Sequence, residues 1–385
     1  MTVSLPLGFS SFVTNVGVKD GTKDFTVVLG PEGTTSAAVF TRSLFAGPSV
    51  LLSRQNLSGA NHAMVVLSKN ANVATGEEGM ANAREIAASV AGRLGIEPGG
   101  ILLASTGVIG RQYPMDRIRA GIERLPVPLP DNDADEVARG IMTTDTVHKI
   151  HEATVAGSAA RVVGVAKGVG MIEPDMATLI SMVFTDAAIP AEQLDASFRR
   201  VIGLTLNCVS VDTDTSTSDT AVILASGAAG PVGVPEFEIA LHQVLLSLTK
   251  QIARDGEGAE TLIEVKVDGA RDEAQAKTVA KSIVNSPLVK TAVHGADPNW
   301  GRVAMAVGKC SQYADIDQSR VVIRFGDQEV YPSRVDDAGL AALSNYMKGD
   351  DVLIHVTLGT GDATATVWGC DLTDGYVRIN ADYTT

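Results

Sequence analysis

A stretch near the middle of the chain, residues 167–180, limits the fold more than any other part of the sequence. It reads Lys-Gly-Val-Gly-Met-Ile-Glu-Pro-Asp-Met-Ala-Thr-Leu-Ile, so two glycines and a proline precede an Ala-Thr pair. Glycine and proline are both unfavourable inside a helix, and the stretch therefore predicts a bent, closely packed loop. A threonine hydroxyl held in such a loop can attack the carbonyl carbon of the preceding residue. If Thr178 attacked Ala177 in this way, the chain would pass through an ester and then split.

The amino terminus created by that cleavage would carry its own general base. An α-amine has an ordinary pKa of about 8, so the amine of Thr178 could accept the hydroxyl proton near neutral pH. The residues alone do not require this chemistry, because Ala-Thr pairs after a proline are common and threonine favours strands. On the pattern alone, Thr178 is a structural residue at the start of a strand.

The same stretch resembles the processing site of the ornithine acetyltransferase (glutamate N-acetyltransferase) family. The Lys-Gly-x-Gly-Met-Ile run, the Pro-x-Met-Ala-Thr-Leu core and the eleven-residue step from Lys167 to Thr178 all match. In that family a precursor cuts itself between alanine and threonine. The resemblance implies cleavage between Ala177 and Thr178, which would leave residues 1–177 and 178–385 associated around one core.

The rest of the chain alternates between strand-like and helix-like segments, which predicts an α/β or α+β layered fold. Apolar or alternating runs predict strands at residues 25–29, 37–40, 50–53, 63–68, 100–104, 179–184, 262–267, 320–325, 352–358, 363–368 and 376–379, with a strand pair around residues 157–158. Helical spacing predicts helices at residues 79–94, 115–125, 135–142, 189–206, 237–254 and 273–285. The family resemblance implies a four-layer αββα sandwich with a smaller C-terminal lobe.

The charge and the cysteines exclude several classes of function. The formal net charge is −14 and the Lys and Arg residues do not cluster, so we expect no nucleic-acid or membrane partner. No apolar run reaches the roughly 18 residues that span a bilayer. Three widely spaced cysteines argue against a disulfide framework and for reduced thiols in a cytoplasmic, soluble protein.

Thr106 and Gly107, in the run Ala-Ser-Thr-Gly-Val-Ile-Gly, are the candidate oxyanion hole. On their own these residues predict a turn at the end of a strand. The resemblance places them where a threonine hydroxyl and a glycine N–H stabilise a tetrahedral intermediate. Each such donor contributes about 3 kcal/mol in the transition state.

The resemblance also implies a set of residues that contact substrate. Composition alone gives these residues no function: it predicts a solvated lysine, polar turns and a frayed terminal tail. Thr144 is an alternative to Thr143, because the spacing from this threonine to Lys167 varies among relatives. The set consists of Thr143, Lys167, Thr178, Glu257, Asn380 and Thr385.

The implied reaction is a ping-pong transfer of an acetyl group from N-acetylornithine to glutamate through acetyl-Thr178, without a cofactor. Ornithine and N-acetylglutamate are the products, and the reaction serves the acetylated cycle of arginine biosynthesis. The cleaved pair would form a dimer of α–β pairs, a heterotetramer. Val169, Glu173 and Asp175 depart from the usual pattern and make the chain similar to paralogues from clavulanic-acid gene clusters.

Two other functions remain open on the residues alone. An aminopeptidase or amidase would use the same N-terminal threonine and discharge the acyl-enzyme with water. A calcium- or partner-binding protein would use residues 212–219, which contain several aspartates but lack the glycine and the closing glutamate of a calcium loop. We therefore assign no metal ligands. Residues 285–290 and 295–302 also resemble the family and predict turns after a helix.

Overall fold

The computed structural model of the chain describes residues 2–173 and 179–382. Its strands are β1 Ser10–Thr14, β2 Phe25–Leu29, β3 Thr35–Phe40, β4 Ala63–Leu67, β5 Ile101–Ser105, β6 Lys149–Thr154, β7 Arg161–Lys167, β8 Ile180–Ala188, β9 Thr220–Pro231, β10 Leu262–Ala270, β11 Val322–Phe325, β12 Gln328–Tyr331, β13 Asp351–Thr357 and β14 Ala363–Cys370. Its helices are α1 Pro48–Asn56, α2 Gly76–Leu94, α3 Met115–Glu123, α4 Ala134–Ile141, α5 Ala191–Leu204, α6 Val234–Arg254, α7 Glu273–Val284, α8 Pro287–His294, α9 Trp300–Gly308, α10 Asp337–Tyr346 and α11 Asp374–Asp382.

Two sheets pack face to face and form the centre of the molecule. The first has the strand order β1-β2-β4-β5, and the second has the order β3-β9-β8-β7-β6. Alternate side chains of a strand point to opposite faces of its sheet. Val66 of β4 and Val165 of β7 therefore belong to the apolar cluster between the sheets. Val65 faces the other way, towards α2 and α3.

Helices cover the outer face of each central sheet. Helices α2 and α3 pack on the first sheet, and α5 and α6 pack on the second. The four layers are thus helix, sheet, sheet, helix, which confirms the αββα sandwich expected from the resemblance.

The third sheet, ordered β12-β11-β13-β10-β14, forms the smaller C-terminal lobe. Helix α7 packs on β10 and β14, and α9 packs on α7. The buried side chains of this lobe join the apolar cluster beneath α5 and α6. The lobe is consequently held to the sandwich by a continuous core.

Two predicted strands are helices in the structure. Residues 50–53 lie in α1, which begins with Pro48 at a first-turn position where its missing N–H costs no hydrogen bond. Residues 376–379 lie in α11, where Val377 and Ile379 are exposed rather than half-buried. The apolar residues of this alternating pattern are therefore not buried on one face, as they would be in a strand.

Other differences concern elements that the sequence did not predict. Strand β9, which lies between β3 and β8 in the second sheet, was missed because its second half is Ser-Gly-Ala-Ala-Gly-Pro. Residues 285–290 and 295–302 were predicted as turns, yet residues 287–290 belong to α8 and residues 300–302 begin α9, which leaves 285–286 and 295–299 outside the helices. Ser286 and Asn299 cap the two helices by accepting hydrogen bonds from the N–H groups of Val289 and Arg302. None of the helices in the described ranges is long and apolar enough to cross a bilayer.

Candidate active site

A cavity of about 300 Å³ brings together the site residues predicted from separate parts of the sequence. Its walls come from the end of β5, the loop after α4, the end of β7, the turn after α6, and α11. The predicted residues that line it are Thr106, Gly107, Thr143, Thr144, Lys167, Glu257 and Asn380. Ala177, Thr178 and Thr385 lie outside the described residues.

The candidate oxyanion hole is built where β5 ends. The N–H of Thr106 donates to the carbonyl of Leu67, at 3.0 Å, which ties the turn to β4. Gly107 has a φ of 128°, and a Cβ there would lie 2.2 Å from the carbonyl carbon of Lys69. Only glycine fits this close approach between two backbone segments.

Lys167 ends β7 beside the candidate oxyanion hole. Its Nζ donates to Thr106 Oγ1 at 3.2 Å, so the hydroxyl hydrogen of Thr106 stays available to another acceptor. Lys167 pairs with Ile180 of β8, which is the second residue after Thr178. Burial lowers the pKa of Lys167, an effect that the neighbouring Asp145 carboxylate opposes.

A buried ion-pair network supports the cavity from behind. Lys149 Nζ lies 2.7 Å from Asp145 Oδ1 and 2.5 Å from Asp255 Oδ2, and the Lys149 side chain is fully buried. Asp145 also accepts from the N–H of Thr143, at 2.9 Å, and from that of Gly168, at 2.7 Å. The network therefore fixes the backbone beside two of the predicted substrate contacts.

The charges in this network make Asp145 strongly acidic. Burial by itself would raise the pKa of the Asp145 carboxyl. The nearby Lys167 and Lys149 charges and the hydrogen bonds to the carboxylate outweigh burial and lower the pKa to about 2. Asp145 is thus ionised throughout the physiological range.

Sequence reasoning missed this network because Lys149 and Asp255 are 106 residues apart. Two weak signals were present in the sequence. Asp145 and Lys149 have the spacing i, i+4, and Asp145 and Asp255 both lie inside segments that resemble the family. Neither signal says that the three side chains meet.

Glu257 occupies the opposite wall of the cavity. Its N–H donates to the carbonyl of Val169, at 2.8 Å, and its Oε2 accepts from Asn380 Nδ2, at 2.9 Å. Thr144 Oγ1 lies 3.5 Å from Oε1 of the same carboxylate. A Cβ on Gly170 would lie 2.6 Å from Glu257 Cδ, so this glycine makes room for the carboxylate. Thr144 thus contacts Glu257 with its side chain, whereas Thr143 donates its backbone N–H to Asp145.

Asp212, the first residue of the segment considered as a calcium loop, forms hydrogen bonds with backbone N–H groups. Its carboxylate accepts from the N–H groups of Met171, at 2.7 Å, and Ile172, at 2.8 Å. Within the described ranges, one group of three side chains is spaced to share a metal ion: Glu260, His294 and Asp371. None of the three lines the cavity.

Comparison with known proteins gives matches over the whole chain. The ArgJ family matches residues 10–385. Glutamate N-acetyltransferase Oat2 of Streptomyces clavuligerus is 57% identical over 392 residues, covering 100% of this chain and 99% of the relative. Arginine biosynthesis bifunctional protein ArgJ 2 of a Nostoc species is 55% identical over 383 residues, covering 99% of this chain and 98% of the relative.

Two solved structures cover about half of the chain. Arginine biosynthesis bifunctional protein ArgJ of Bacillus halodurans is 41% identical and covers 52% of this chain and 98% of its own, with a TM-score of 0.49. Ornithine acetyltransferase of Mycobacterium tuberculosis, complexed with ornithine, is 30% identical and covers 46% of this chain and 96% of its own, with a TM-score of 0.38.

Proposed function

The chain belongs to the ArgJ family, as the resemblance in its sequence predicted, and on this premise we propose that it is a self-cleaving acetyltransferase. It moves an acetyl group from N-acetylornithine to glutamate in arginine biosynthesis. The observation that carries the proposal is the convergence of Thr106, Gly107, Lys167 and Glu257 on one cavity. Lys167 is also paired in the sheet with Ile180, two residues beyond the proposed nucleophile.

Self-cleavage comes first in the proposed mechanism. Thr178 Oγ attacks the carbonyl carbon of Ala177, the C–N bond between the two residues breaks, and the hydroxyl proton passes to the departing amine. Water then hydrolyses the resulting ester. The products are a carboxylate on Ala177 and a threonine at position 178 with a free hydroxyl and a free α-amine.

Acetyl transfer then proceeds in two halves. Thr178 Oγ attacks the acetyl carbonyl of N-acetylornithine while the α-amine of Thr178 accepts the hydroxyl proton. The amide C–N bond breaks, and ornithine leaves with that proton on its amine. The α-amine of glutamate next attacks the ester of acetyl-Thr178. N-acetylglutamate leaves, and Thr178 Oγ regains a proton.

The described cavity residues supply what these steps need. The Thr106 hydroxyl and the Gly107 N–H would donate to the oxyanion of each tetrahedral intermediate. Thr106 can donate because its oxygen already accepts from Lys167, at 3.2 Å. This arrangement leaves the hydroxyl hydrogen for the intermediate.

The cavity also offers opposite charges for an amino-acid substrate. The Lys167 ammonium suits a carboxylate, and the Glu257 carboxylate suits an ammonium group. Asn380 fixes the Glu257 side chain with a hydrogen bond of 2.9 Å. Thr143 and Thr385 complete the proposed contacts, and we propose no cofactor and no metal.

The proposed cleavage divides the molecule into residues 1–177 and 178–385, and we propose that two such pairs form a heterotetramer. In the second sheet, β8 and β9 of residues 178–385 lie between β3 and β7 of residues 1–177. The hydrogen bonds of two strand pairs, β3 with β9 and β7 with β8, would have to break before the two parts could separate.

Product analysis tests the proposed function. The purified protein is incubated with N-acetylornithine, with and without glutamate, and acetylated products are followed by mass spectrometry. The proposal expects steady formation of N-acetylglutamate and ornithine only when glutamate is present. Equal release of ornithine and acetate in the absence of glutamate would instead identify an amidase.

A further inference from the structure

We infer that Glu173 is a positioning residue for self-cleavage, held in place by three side chains that do not line the cavity. The inference rests on the proposed function, since it concerns the same bond between Ala177 and Thr178. Glu173 is the last described residue before residues 174–178. What fixes Glu173 therefore fixes the point from which those residues extend.

The Glu173 carboxylate is held from two directions. Its Oε2 accepts hydrogen bonds from Ser210 Oγ, at 2.9 Å, and from Asn285 Nδ2. Its Oε1 lies 3.4 Å from Lys281 Nζ, and the side chains of this ion pair are only 22% and 19% exposed. Lys281 lies in the last turn of α7 and Asn285 caps its C-terminus. A carboxylate with a cation and two neutral donors in a half-buried setting is more tightly held than an exposed ion pair.

The backbone around Glu173 is held as well. Its N–H donates to the carbonyl of Asp214, at 2.9 Å, and its carbonyl accepts from Thr215 Oγ1, at 3.2 Å. Ile172, one residue earlier, is fully buried, and its carbonyl accepts from the N–H of Val211, at 2.7 Å. Backbone and side chain together leave this end of the segment little freedom.

The chain is fixed again immediately after the segment. Leu179 is buried, and its carbonyl accepts from the N–H of Thr220, at 2.9 Å. Ile180 then enters β8 between two neighbouring strands. Five residues must therefore connect two anchored ends.

Anchored ends favour the intramolecular attack for an entropic reason. The attack needs one geometry of Thr178 Oγ against the Ala177 carbonyl, and each backbone residue that must be ordered for it costs about 1–2 kcal/mol. A fixed Glu173 removes part of that cost before the reaction begins. Glu173 is not among the described residues that line the cavity, so its contribution is separable from acetyl transfer.

Glu238 is a matched control elsewhere in the chain. Its Oε1 accepts from Ser197 Oγ, at 2.7 Å, and it pairs with Arg200, at 2.6 Å. The Glu238 side chain is 24% exposed, close to the 22% of Glu173. It joins α6 to α5, away from the residues that line the cavity.

The test is a pulse–chase measurement of cleavage in cell-free synthesis, with fragments separated under denaturing conditions. We expect Glu173→Ala to slow cleavage at least about tenfold relative to wild type. Without the anchor, Thr178 Oγ would adopt the geometry for attack on the Ala177 carbonyl in a smaller fraction of molecules. Glu173→Gln, which keeps an oxygen for Asn285 or Ser210, should cleave at an intermediate rate. Glu238→Ala should cleave at the wild-type rate.

Two further readouts separate positioning from general stability. Per cleaved molecule, Glu173→Ala should transfer acetyl groups at a rate within about twofold of wild type. In an uncleavable Thr178→Ala background, the thermal midpoints of Glu173→Ala and Glu238→Ala should fall by similar amounts.

Wild-type cleavage rates in Glu173→Ala, or equal slowing in Glu238→Ala, would overturn the role of Glu173 and leave the proposed function intact. Absence of cleavage in the wild-type chain would overturn the proposed function and the role of Glu173 together. Slowing confined to the Glu173 variants, with partial recovery in Glu173→Gln, would support the inference.

Discussion

At the scale of single residues, the charge arrangement of the cavity depends on the buried side chain of Lys149. Its ammonium has ion-pair partners on both sides, Asp145 and Asp255, and the three side chains are almost completely buried. A buried ion pair contributes little net stability when it is intact, but loss of one partner leaves an uncompensated charge in a medium of low dielectric. The network is thus a place where one substitution has a large effect.

Replacing Asp145 should destabilise the fold and remove a pH dependence. In an uncleavable Thr178→Ala background, we expect Asp145→Asn to lower the free energy of unfolding at neutral pH by about 3–5 kcal/mol. The pKa of Asp145 is about 2 in the fold, against an ordinary 3.8. Its ionised form therefore stabilises the fold above pH 4 by about 2 kcal/mol, and this stabilisation is lost as the pH falls from about 4 to about 2.

Denaturant unfolding at several pH values measures both effects. The control is Asp116→Asn, which removes a fully exposed carboxylate paired with Arg119 and should leave stability nearly unchanged. An Asp145→Asn variant that unfolds with the parent's pH profile between pH 2 and 4 would contradict the assignment.

The hydroxyl of Thr106 should matter to the transition state more than to the bound substrate. Thr106→Val removes both the donor to the oxyanion and the acceptor for Lys167 Nζ. We expect kcat for acetyl transfer to fall about 10²–10³-fold, with little change in KM for N-acetylornithine. Thr106→Ser keeps the hydroxyl and serves as the control. Steady-state kinetics in which valine and serine variants behave alike would count against the oxyanion role.

At the scale of helices and strands, the sequence predicted best those elements whose pattern and end signals agree. Helix α2 has its apolar residues at helical spacing and stops at Gly95, which is left-handed with a φ of 72°. Prediction failed where local pattern and tertiary position conflict. Residues 376–379 alternate like a strand, yet they lie in α11, where Asp374 and Arg378 pair across a helical turn and Val377 and Ile379 are exposed.

The candidate site likewise has a part that local sequence motifs predicted and a part that they did not. Its lining residues were predicted because each lies in a short local motif that resembles the family. The Lys149–Asp255 contact and the anchors of Glu173 were missed because they join residues 37 to 112 positions apart, and such contacts are determined by the folded topology. A single sequence does not reveal which distant loops meet.

Docking of α11 should depend on Gly258. A Cβ at this position would lie 2.4 Å from the backbone nitrogen of Tyr376, so Gly258→Ala should push α11 away and separate Asn380 from Glu257. A hydrogen bond to a charged group is worth about 1.5–3 kcal/mol, so kcat/KM should fall roughly 10- to 100-fold.

Gly21→Ala separates the clash from backbone strain. Gly21 has a φ of 74°, close to the 72° of Gly258, but its Cβ would meet no heavy atom within 4 Å. Gly258→Ala should therefore lose more stability than Gly21→Ala in thermal unfolding, and only Gly258→Ala should lose activity. Equal kcat/KM values for the two variants would show that α11 docking is dispensable.

At the scale of the whole molecule, the fold is suited to survive the proposed cut between Ala177 and Thr178. The two parts share the second sheet, in which β8 and β9 from residues 178–385 lie between β3 and β7 from residues 1–177. The Lys149–Asp255 ion pair adds a buried charged contact between the same two parts, at 2.5 Å. Cleavage would release a new amino terminus at position 178 without removing either part from the core.

The most direct measurement is the intact mass of the denatured protein before and after incubation with N-acetylornithine alone. Our proposal predicts two species whose masses sum to that of the 40.0 kDa chain plus one water, with the second beginning at Thr178. After incubation, that second species alone should gain the mass of one acetyl group. A single uncut 40.0 kDa species, or an acetyl group on residues 1–177, would contradict the proposed role of Thr178.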